Sequence, residues 1–543
     1  MLPLPTARAY IAFAGCVLIF VLGLWFQSPD IAILGSGGLI GMALCLSLTV
    51  PIAQRLRGQR VSFSWTARHE KVSHEPAMTR VGSAIDLACE FHNPSAWPVR
   101  FLELAPVMPP ALSLLSCPSM ITTPQSSRCH FTMRISGLAT GTQVLQGLSV
   151  LVPGPLGLFA APLYFPTVLS LRVLPAAPRP LPPLATSLGS AVAPSIERRM
   201  RQRSHEGHEL RELRELQPGD PFKSIAWKPS ARRGKLLVRQ LEQPQQTTCV
   251  VVIDGSYAMR RGIPGERPLD HAVEIASLLA TDALQQGDRT SLITVDGRII
   301  EHAPEGHGLA HMARIHDALL STMQPVDADL TEANADDVRN AVARYLRKQE
   351  GPLTLDESDD SQPFLVQRAR LALAHEPASQ RTSPPVAEDE ADAYLRRFCR
   401  LRGISLPYRE HTRAFAKGHG YSVALRVGAG RDRATKTIFL LCNPIDLPSL
   451  EDVQSGLRVL RSQGHALVVA VPSGFASVPQ EPAERAHVFV DRLAEQRMLR
   501  NVRRFFGRYA VPVIDFRAGQ SPAQSAWKML GARERAQSWR RSA

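Results

Sequence analysis

The chain has 543 residues, with 63 Lys and Arg against 49 Asp and Glu and a formal charge of +14. That length exceeds what one hydrophobic core usually organises, so two or three domains are expected. Apolar residues at 44% and charged residues at 21% argue against wholesale disorder and against a polytopic transporter. The cysteines, at positions 16, 45, 89, 117, 129, 249, 399 and 442, form no Cys-x-x-Cys. This excludes a zinc ribbon or thioredoxin motif, and the scatter suits reduced thiols.

Residues 9–26 and 31–53 carry no charge and are separated only by Gln27-Ser28-Pro29-Asp30. Each run is long enough to cross a hydrocarbon layer about 30 Å thick as a helix. A signal peptide is the rival for the first run, but Arg8 alone makes a weak basic lead and a second apolar run follows at once. A transmembrane hairpin over residues 1–60 is therefore expected. Arg8 precedes it and Arg55, Arg57 and Arg60 follow it, so both ends and the bulk of the chain are expected in the cytoplasm.

Residues 61–180 hold short apolar runs punctuated by Pro, Ser and Thr. Runs at 84–91, 128–135, 142–152 and 168–173 read as strands, with turns at Asn93-Pro94-Ser95 and Pro153-Gly154-Pro155. The spacing predicts an all-β, sandwich-like domain with no catalytic constellation. A Pro-rich stretch at 175–194 reads as a semi-extended linker.

Next comes a charged stretch within residues 181–246. It contains Gly207-His208-Glu209-Leu210, then Leu216-Gln217-Pro218-Gly219-Asp220, then Ile225-Ala226-Trp227 and Ser230-Ala231-Arg232-Arg233. This closely resembles the signature of the bacterial domain-of-unknown-function family 58, with Leu210, Leu216 and Lys223 standing for the family's Phe, Tyr and Arg. Pro155-Leu156-Gly157-Leu158-Phe159 looks like another of its motifs. The resemblance implies two membrane spans, a sheet-rich segment, the signature and then a von Willebrand factor A-like domain. Physically, Gly219 permits a positive φ, Asp220 can cap the backbone after it, and Trp227 is expected to pack. Arg232 and Arg233 either brace the upstream glutamates or form a recognition surface.

Residues 247–520 alternate strand and helix. Strands are expected at 247–254, 291–295, 437–442, 466–472 and 511–516, and helices at 269–285, 309–323, 336–349, 450–463 and 483–509. The pattern predicts an α/β doubly wound parallel sheet. An acidic, Pro-containing insertion at about 350–392 is expected to be at least partly disordered. Residues 394–430 suggest an appended lobe of unassigned structure. Residues 521–543 read as a basic tail suited to anionic lipid.

At the end of the first strand of this sheet stands Asp254-Gly255-Ser256-Tyr257-Ala258-Met259. It resembles a metal-ion-dependent adhesion site, in which an Asp and hydroxyls hold Mg²⁺ and a partner's carboxylate completes the shell. Asp254 and Ser256 match, Ala258 removes one oxygen, and Thr331 near Asp329 is the candidate for a further ligand. Asn443 and Asp446 lie where another acid is expected. The site reads as degenerate, with Mg²⁺ the one candidate cofactor. The expected partner surface comprises Asp254, Ser256, Met259, Arg232 and Arg233.

His307, His311 and His316 lack the Glu of a zinc-protease motif, and the sequence has no Gly-x-x-x-x-Gly-Lys-Ser/Thr loop or Gly-x-Ser-x-Gly elbow. These absences make an enzyme the weaker expectation, and the family resemblance implies a non-catalytic adaptor at the bacterial inner membrane. The resemblance implies a MoxR-type AAA+ ATPase as its partner, beside the lipid bilayer and without nucleic acid. The alternatives are a metal-assisted hydrolase and a nucleic-acid binder using the basic segments.

Overall fold

The computed structural model describes residues 3–58, 61–67, 77–177, 210–217, 222, 225–241, 247–350, 362–374, 390–410, 414–430, 435–443, 450–475 and 482–542. The linker, Gly219, Asp220 and Asp446 lie outside these residues.

Two helices, Ala7–Trp25 and Pro29–Gly58, form an N-terminal pair, and both contain a stretch long and apolar enough to cross a membrane. Ile11, Phe13, Leu34 and Ile40 point outward instead of into a protein core. The helices approach closely at Gly23, where a Cβ would collide with the Ala32 backbone, and at Gly35, where it would collide with Phe20. Small residues thus permit backbone contact between them. The base of the pair is tied to the next domain. Leu4–Pro5 pairs with Phe159 and Ala160, and the Thr6 hydroxyl donates to the Gly157 and Leu158 carbonyls (2.8 and 2.9 Å).

Two sheets follow, packed face to face, as the alternating runs predict. One joins Ser62–Ala67, Ala84–Asn93, Ser127–Gly137 and Leu112–Ser116, all antiparallel. The other is built on Phe159–Leu174, Gly141–Pro153, Val99–Val107 and Met120–Thr123, with Ala77–Arg80 added in parallel. Phe63 and Phe91 from the first sheet, with Phe131 packed beside them, meet Phe101 and Phe165 from the second. The buried Phe91 and Phe101 rings stack at 4.6 Å. Such pairs contribute about 0.5–1.5 kcal/mol each beyond their burial.

The C-terminal unit has a six-stranded sheet in the order Ile299–Gly306, Arg289–Val295, Thr248–Asp254, Lys436–Leu441, Ala466–Ser473, Val513–Arg517. All neighbours are parallel except the first pair. In sheet sequence this is 3-2-1-4-5-6, the doubly wound order, whose switch point lies between Thr248–Asp254 and Lys436–Leu441. Both faces are covered, which is why Val250 to Ile253 are all apolar. Val251 and Ile253 join the core beneath helices Pro268–Gln285, Leu309–Met323 and Pro522–Ser542. Val250 and Val252 join the core beneath Ala414–Ala429, Leu450–Ser462 and Pro482–Gly507.

Two expectations need correction. The basic tail is a packed helix, not a loose arm: Ala526, Met529 and Ala532 lie in the core, and the buried Arg533 reaches Asp288 (3.6 Å) and the Thr247 hydroxyl (2.6 Å). Within the expected insertion the described residues form helix Gln362–Ala374 and the start of Glu390–Leu401, the rest lying outside the described residues, and the unassigned lobe carries helices as well. Helices Ala335–Glu350, Gln362–Ala374 and Glu390–Leu401 share a core of Val338, Val342, Leu365, Ala369, Leu395 and Phe398, while Ala414–Ala429 belongs to the sheet's own cover.

The sandwich meets the α/β unit through Glu274, a buried carboxylate on helix Pro268–Gln285. It accepts the Ala176 backbone N–H (2.8 Å) and the Thr140 hydroxyl (3.3 Å). Burial pushes it up to about 7, reinforced by Asp270 and opposed by those two hydrogen bonds and by Arg80. The folded value lies above the ordinary one of 4.5. The stability this group lends is therefore complete below about pH 4.5 and is lost as pH rises through about 7. Thermal unfolding of the full chain should show Glu274→Gln flattening the pH dependence across that window; an unchanged slope would contradict the assignment.

Candidate functional site

The doubly wound order places Asp254 at the switch point, where open α/β sheets bind ligands. Here the position is closed. Asp254 is 0% exposed; one carboxylate oxygen accepts the Ser256 N–H (2.9 Å) and the other accepts the Asn443 N–H from the neighbouring strand end (3.0 Å). Ser256 and Met259 are buried as well, and the Ser256 hydroxyl has no hydrogen-bond partner. Asp296, at the end of the next strand, is also buried. The sealing residue is Tyr408, whose hydroxyl donates to Asp296 (2.8 Å).

Tyr408 belongs to a short strap. The strap is held by a bridge to Thr331, by Arg409 N–H to the Leu330 carbonyl (2.8 Å) and by Glu332 N–H to the Pro407 carbonyl (3.0 Å). Tyr257 donates its hydroxyl to Glu410 (2.8 Å). Burial raises Tyr408 far above the ordinary phenol range, against the pull of Arg260 and with the push of Asp296. Tyr421, fully buried, is likewise raised by burial and then by the Asp254 carboxylate.

The cation of this cluster is Arg260. Its guanidinium lies 4.5 Å from the centre of the Tyr408 ring and donates to the Gly255 carbonyl (2.7 Å). It also donates to Thr322 (2.7 Å) and Met323 (3.2 Å), the last carbonyls of helix Leu309–Met323. A guanidinium there satisfies orphan carbonyls and the negative end of the helix dipole at once. Burial draws its pKa below the ordinary arginine value, while Tyr408 and Asp296 hold it up.

These residues do not fit the Mg²⁺ site that Asp254, Ser256 and Thr331 suggested. Mg²⁺ requires several oxygen ligands in an octahedron and keeps waters, whereas Asp254 has one lone pair of each oxygen taken by a backbone N–H and is wholly enclosed. The Thr331 hydroxyl donates to the Asp327 carbonyl (3.1 Å) and accepts from the buried Arg396 (2.7 Å), a poor neighbour for a dication. Arg298 takes Asp327 and Asp329 (both 2.6 Å). Among the described residues no cluster of three His, Cys, Asp or Glu could hold a metal. His311 is used within the fold: its Nε2–H donates to the Thr290 carbonyl (2.8 Å).

The expected partner surface therefore divides. Asp254, Ser256 and Met259 are not displayed, because the strap and Arg260 close that edge. Arg232 and Arg233 are displayed. Strands Leu210–Glu215 and Leu237–Leu241 form an antiparallel hairpin whose connection contains helix Trp227–Arg233. Ser230 closes it: its buried hydroxyl donates to the Ala226 carbonyl (2.8 Å) and accepts the Leu237 N–H (2.9 Å). Gly234 ends the helix at φ +62°, where a side chain would be strained. With Ser230 inward, Ala231, Arg232 and Arg233 face solvent. The expectation that Trp227 packs is also corrected: it is 64% exposed, with Phe222 at 79% and Leu236 at 47%. Glu215 pairs with Lys235 (2.8 Å), not with either arginine.

Residues 212–349 match the family described as protein of unknown function DUF58. The DUF58 match begins in the hairpin and runs through Asp254 to the helix Ala335–Glu350. No curated protein matches the chain. Solved structures give faint likenesses. A cupredoxin domain of amoB from Nitrosocaldus yellowstonii is 12% identical over 20% of this chain and 65% of its own, with a TM-score of 0.13. A cohesin module from Clostridium perfringens is 11% identical over 21% and 98%, with a TM-score of 0.13. The native alpha-2-macroglobulin of Escherichia coli is 12% identical over 88% and 65%, with a TM-score of 0.18. At these scores the likenesses carry no functional weight.

Tyr408→Ala should release the strap, so that hydrogen exchange accelerates in peptides covering residues 254–260 while millimolar Mg²⁺ slows it in neither protein. Unchanged exchange, or Mg²⁺-dependent protection of the wild type, would contradict this closure.

Proposed function

We propose that the protein is a membrane-anchored, non-catalytic adaptor that binds a protein partner through the DUF58 signature face. The observation that carries this reading is the exposed Trp227, flanked by Phe222 and Leu236 and by the cations Lys228, Arg232 and Arg233. Large apolar side chains beside arginines are the composition of binding hot spots. The Ser230 clasp supports them on a defined hairpin, so they are presented and not merely loose. The two outward-facing apolar helices supply the anchor at the bacterial inner membrane, with the bulk of the chain in the cytoplasm by the charge rule.

In this reading the α/β unit is a von Willebrand factor A-like domain whose strand-end site has become structural, with Asp254 tying its own loop to the neighbouring strand end. The partner is a MoxR-type AAA+ ATPase, as the family resemblance implies. A metal-assisted hydrolase is the weaker reading, since the Asp254 oxygens already accept two backbone N–H groups and leave no positioned base.

Pull-down of the tagged full chain from membranes, probed for the cell's MoxR-type ATPase, tests this. Trp227→Ala combined with Arg232→Glu and Arg233→Glu should abolish recovery of the ATPase without changing the thermal midpoint, because all three side chains are exposed. Equal recovery from wild type and variant would overturn the signature face as the docking surface.

A further inference from the structure

A second surface lies on helix Pro482–Gly507 and the turn after it. Val502, Phe505 and Phe506 bury the inner side of this helix in the core. At 100° per residue, the opposite side carries Leu493, Arg497, Arg500 and Arg504, with Arg508 continuing the line just beyond the helix. All five are exposed. The row spans about 16 Å between Arg497 and Arg508, at about 1.5 Å per residue. None of these four arginines has an ion-pair partner among the described residues. The acidic side chains nearby are engaged elsewhere: Glu495 accepts the Gly474 N–H (2.7 Å), and Asp515 pairs with Arg503 (3.4 Å) and Arg517 (2.8 Å).

We infer that this arginine row is a docking surface for an acidic, amphipathic segment of a partner protein. Four cations in one line, without ion-pair partners among the described residues, favour an anionic ligand, and guanidinium forks suit carboxylates. Leu493, 41% exposed at the head of the row, adds an apolar contact that a phosphodiester backbone does not reward. Among the described side chains of the helix no aromatic ring is exposed for base stacking, which favours protein over single-stranded nucleic acid.

The anchoring bilayer is also disfavoured, by geometry. Strand Phe159–Leu174 meets the helical pair at Ala160 and the α/β unit at Arg172, which pairs with Asp317 (3.5 Å). Its sixteen residues place the two ends about 50 Å apart, at about 3.3 Å per residue. The sandwich docks on helices Pro268–Gln285 and Leu309–Met323, which cover one face of the parallel sheet. The arginine row is on the other face. It points away from the sandwich that connects the sheet to the apolar helices.

The test uses the full chain in neutral-lipid nanodiscs. The probes are a synthetic helical peptide with Leu and four Glu at the spacing of Leu493, Arg497, Arg500, Arg504 and Arg508, a charge-scrambled peptide, a short DNA duplex and anionic vesicles. The expected result is saturable, salt-sensitive binding of the matched peptide. Arg497→Glu, Arg500→Glu and Arg504→Glu together should weaken it about tenfold or more, and Leu493→Ser alone should weaken it measurably. Absence of binding, equal binding of the scrambled peptide, or indifference to the triple reversal overturns the proposal. So does tighter binding of the duplex or the vesicles than of the matched peptide. These variants leave the Trp227 face intact, so failure here and failure of the signature-face docking are separately readable.

Discussion

The Asp254 carboxylate is the constraint on which the α/β unit depends. A fully buried charge is costly unless hydrogen bonds and a compensating cation surround it. Asp254 has the hydrogen bonds: one oxygen fixes its own loop through Ser256 and the other ties the strand end to Asn443, while Arg260 stands nearby against Tyr408 and Asp296. Because the second bond crosses the switch point, it joins the two halves of the sheet at the place where a doubly wound fold otherwise leaves a crevice. Tyr408 then closes that crevice from a segment more than a hundred residues further along the chain.

This closure redistributes function. A rim that binds ligands must show its polar groups, and here Asp254, Ser256 and Asp296 are enclosed. What the molecule does show is elsewhere: Trp227 on the hairpin and the arginine row on helix Pro482–Gly507. The sandwich, held to the apolar helices at one end of Phe159–Leu174 and to the sheet at the other, acts as a spacer. Glu274 at its lower joint makes that connection responsive to pH.

The periodic parts of this structure were legible in the sequence. Residues 250–253 read as a strand buried on both sides, residues 309–323 as a helix, and the apolar runs before residue 53 as a helical pair; each is found within a few residues of its expected limits. Strand Ile299–Gly306 was missed because its run ends in Pro and Glu, and an edge strand has only one partner to satisfy. The acidic composition around residues 350–392 concealed two helices whose apolar positions, Leu365, Ala369, Leu395 and Phe398, are spaced at four and three. Net charge misled at the C-terminus, where Arg533 is an interior residue matched to Asp288. The strand-end Asp254 and Ser256 were legible as a turn at the sheet's switch point, but their enclosure depended on Arg260 and Tyr408, which no local pattern marks as neighbours.

Chemical unfolding of the full-length Asp254→Ala protein tests this account most directly. Loss of a buried carboxylate that leaves the Ser256 and Asn443 N–H groups without their acceptor should lower stability by about 2 kcal/mol or more. Stability equal to wild type, with loss of a bound partner as the only defect, would show that Asp254 is a displayed ligand and not the internal tie described above.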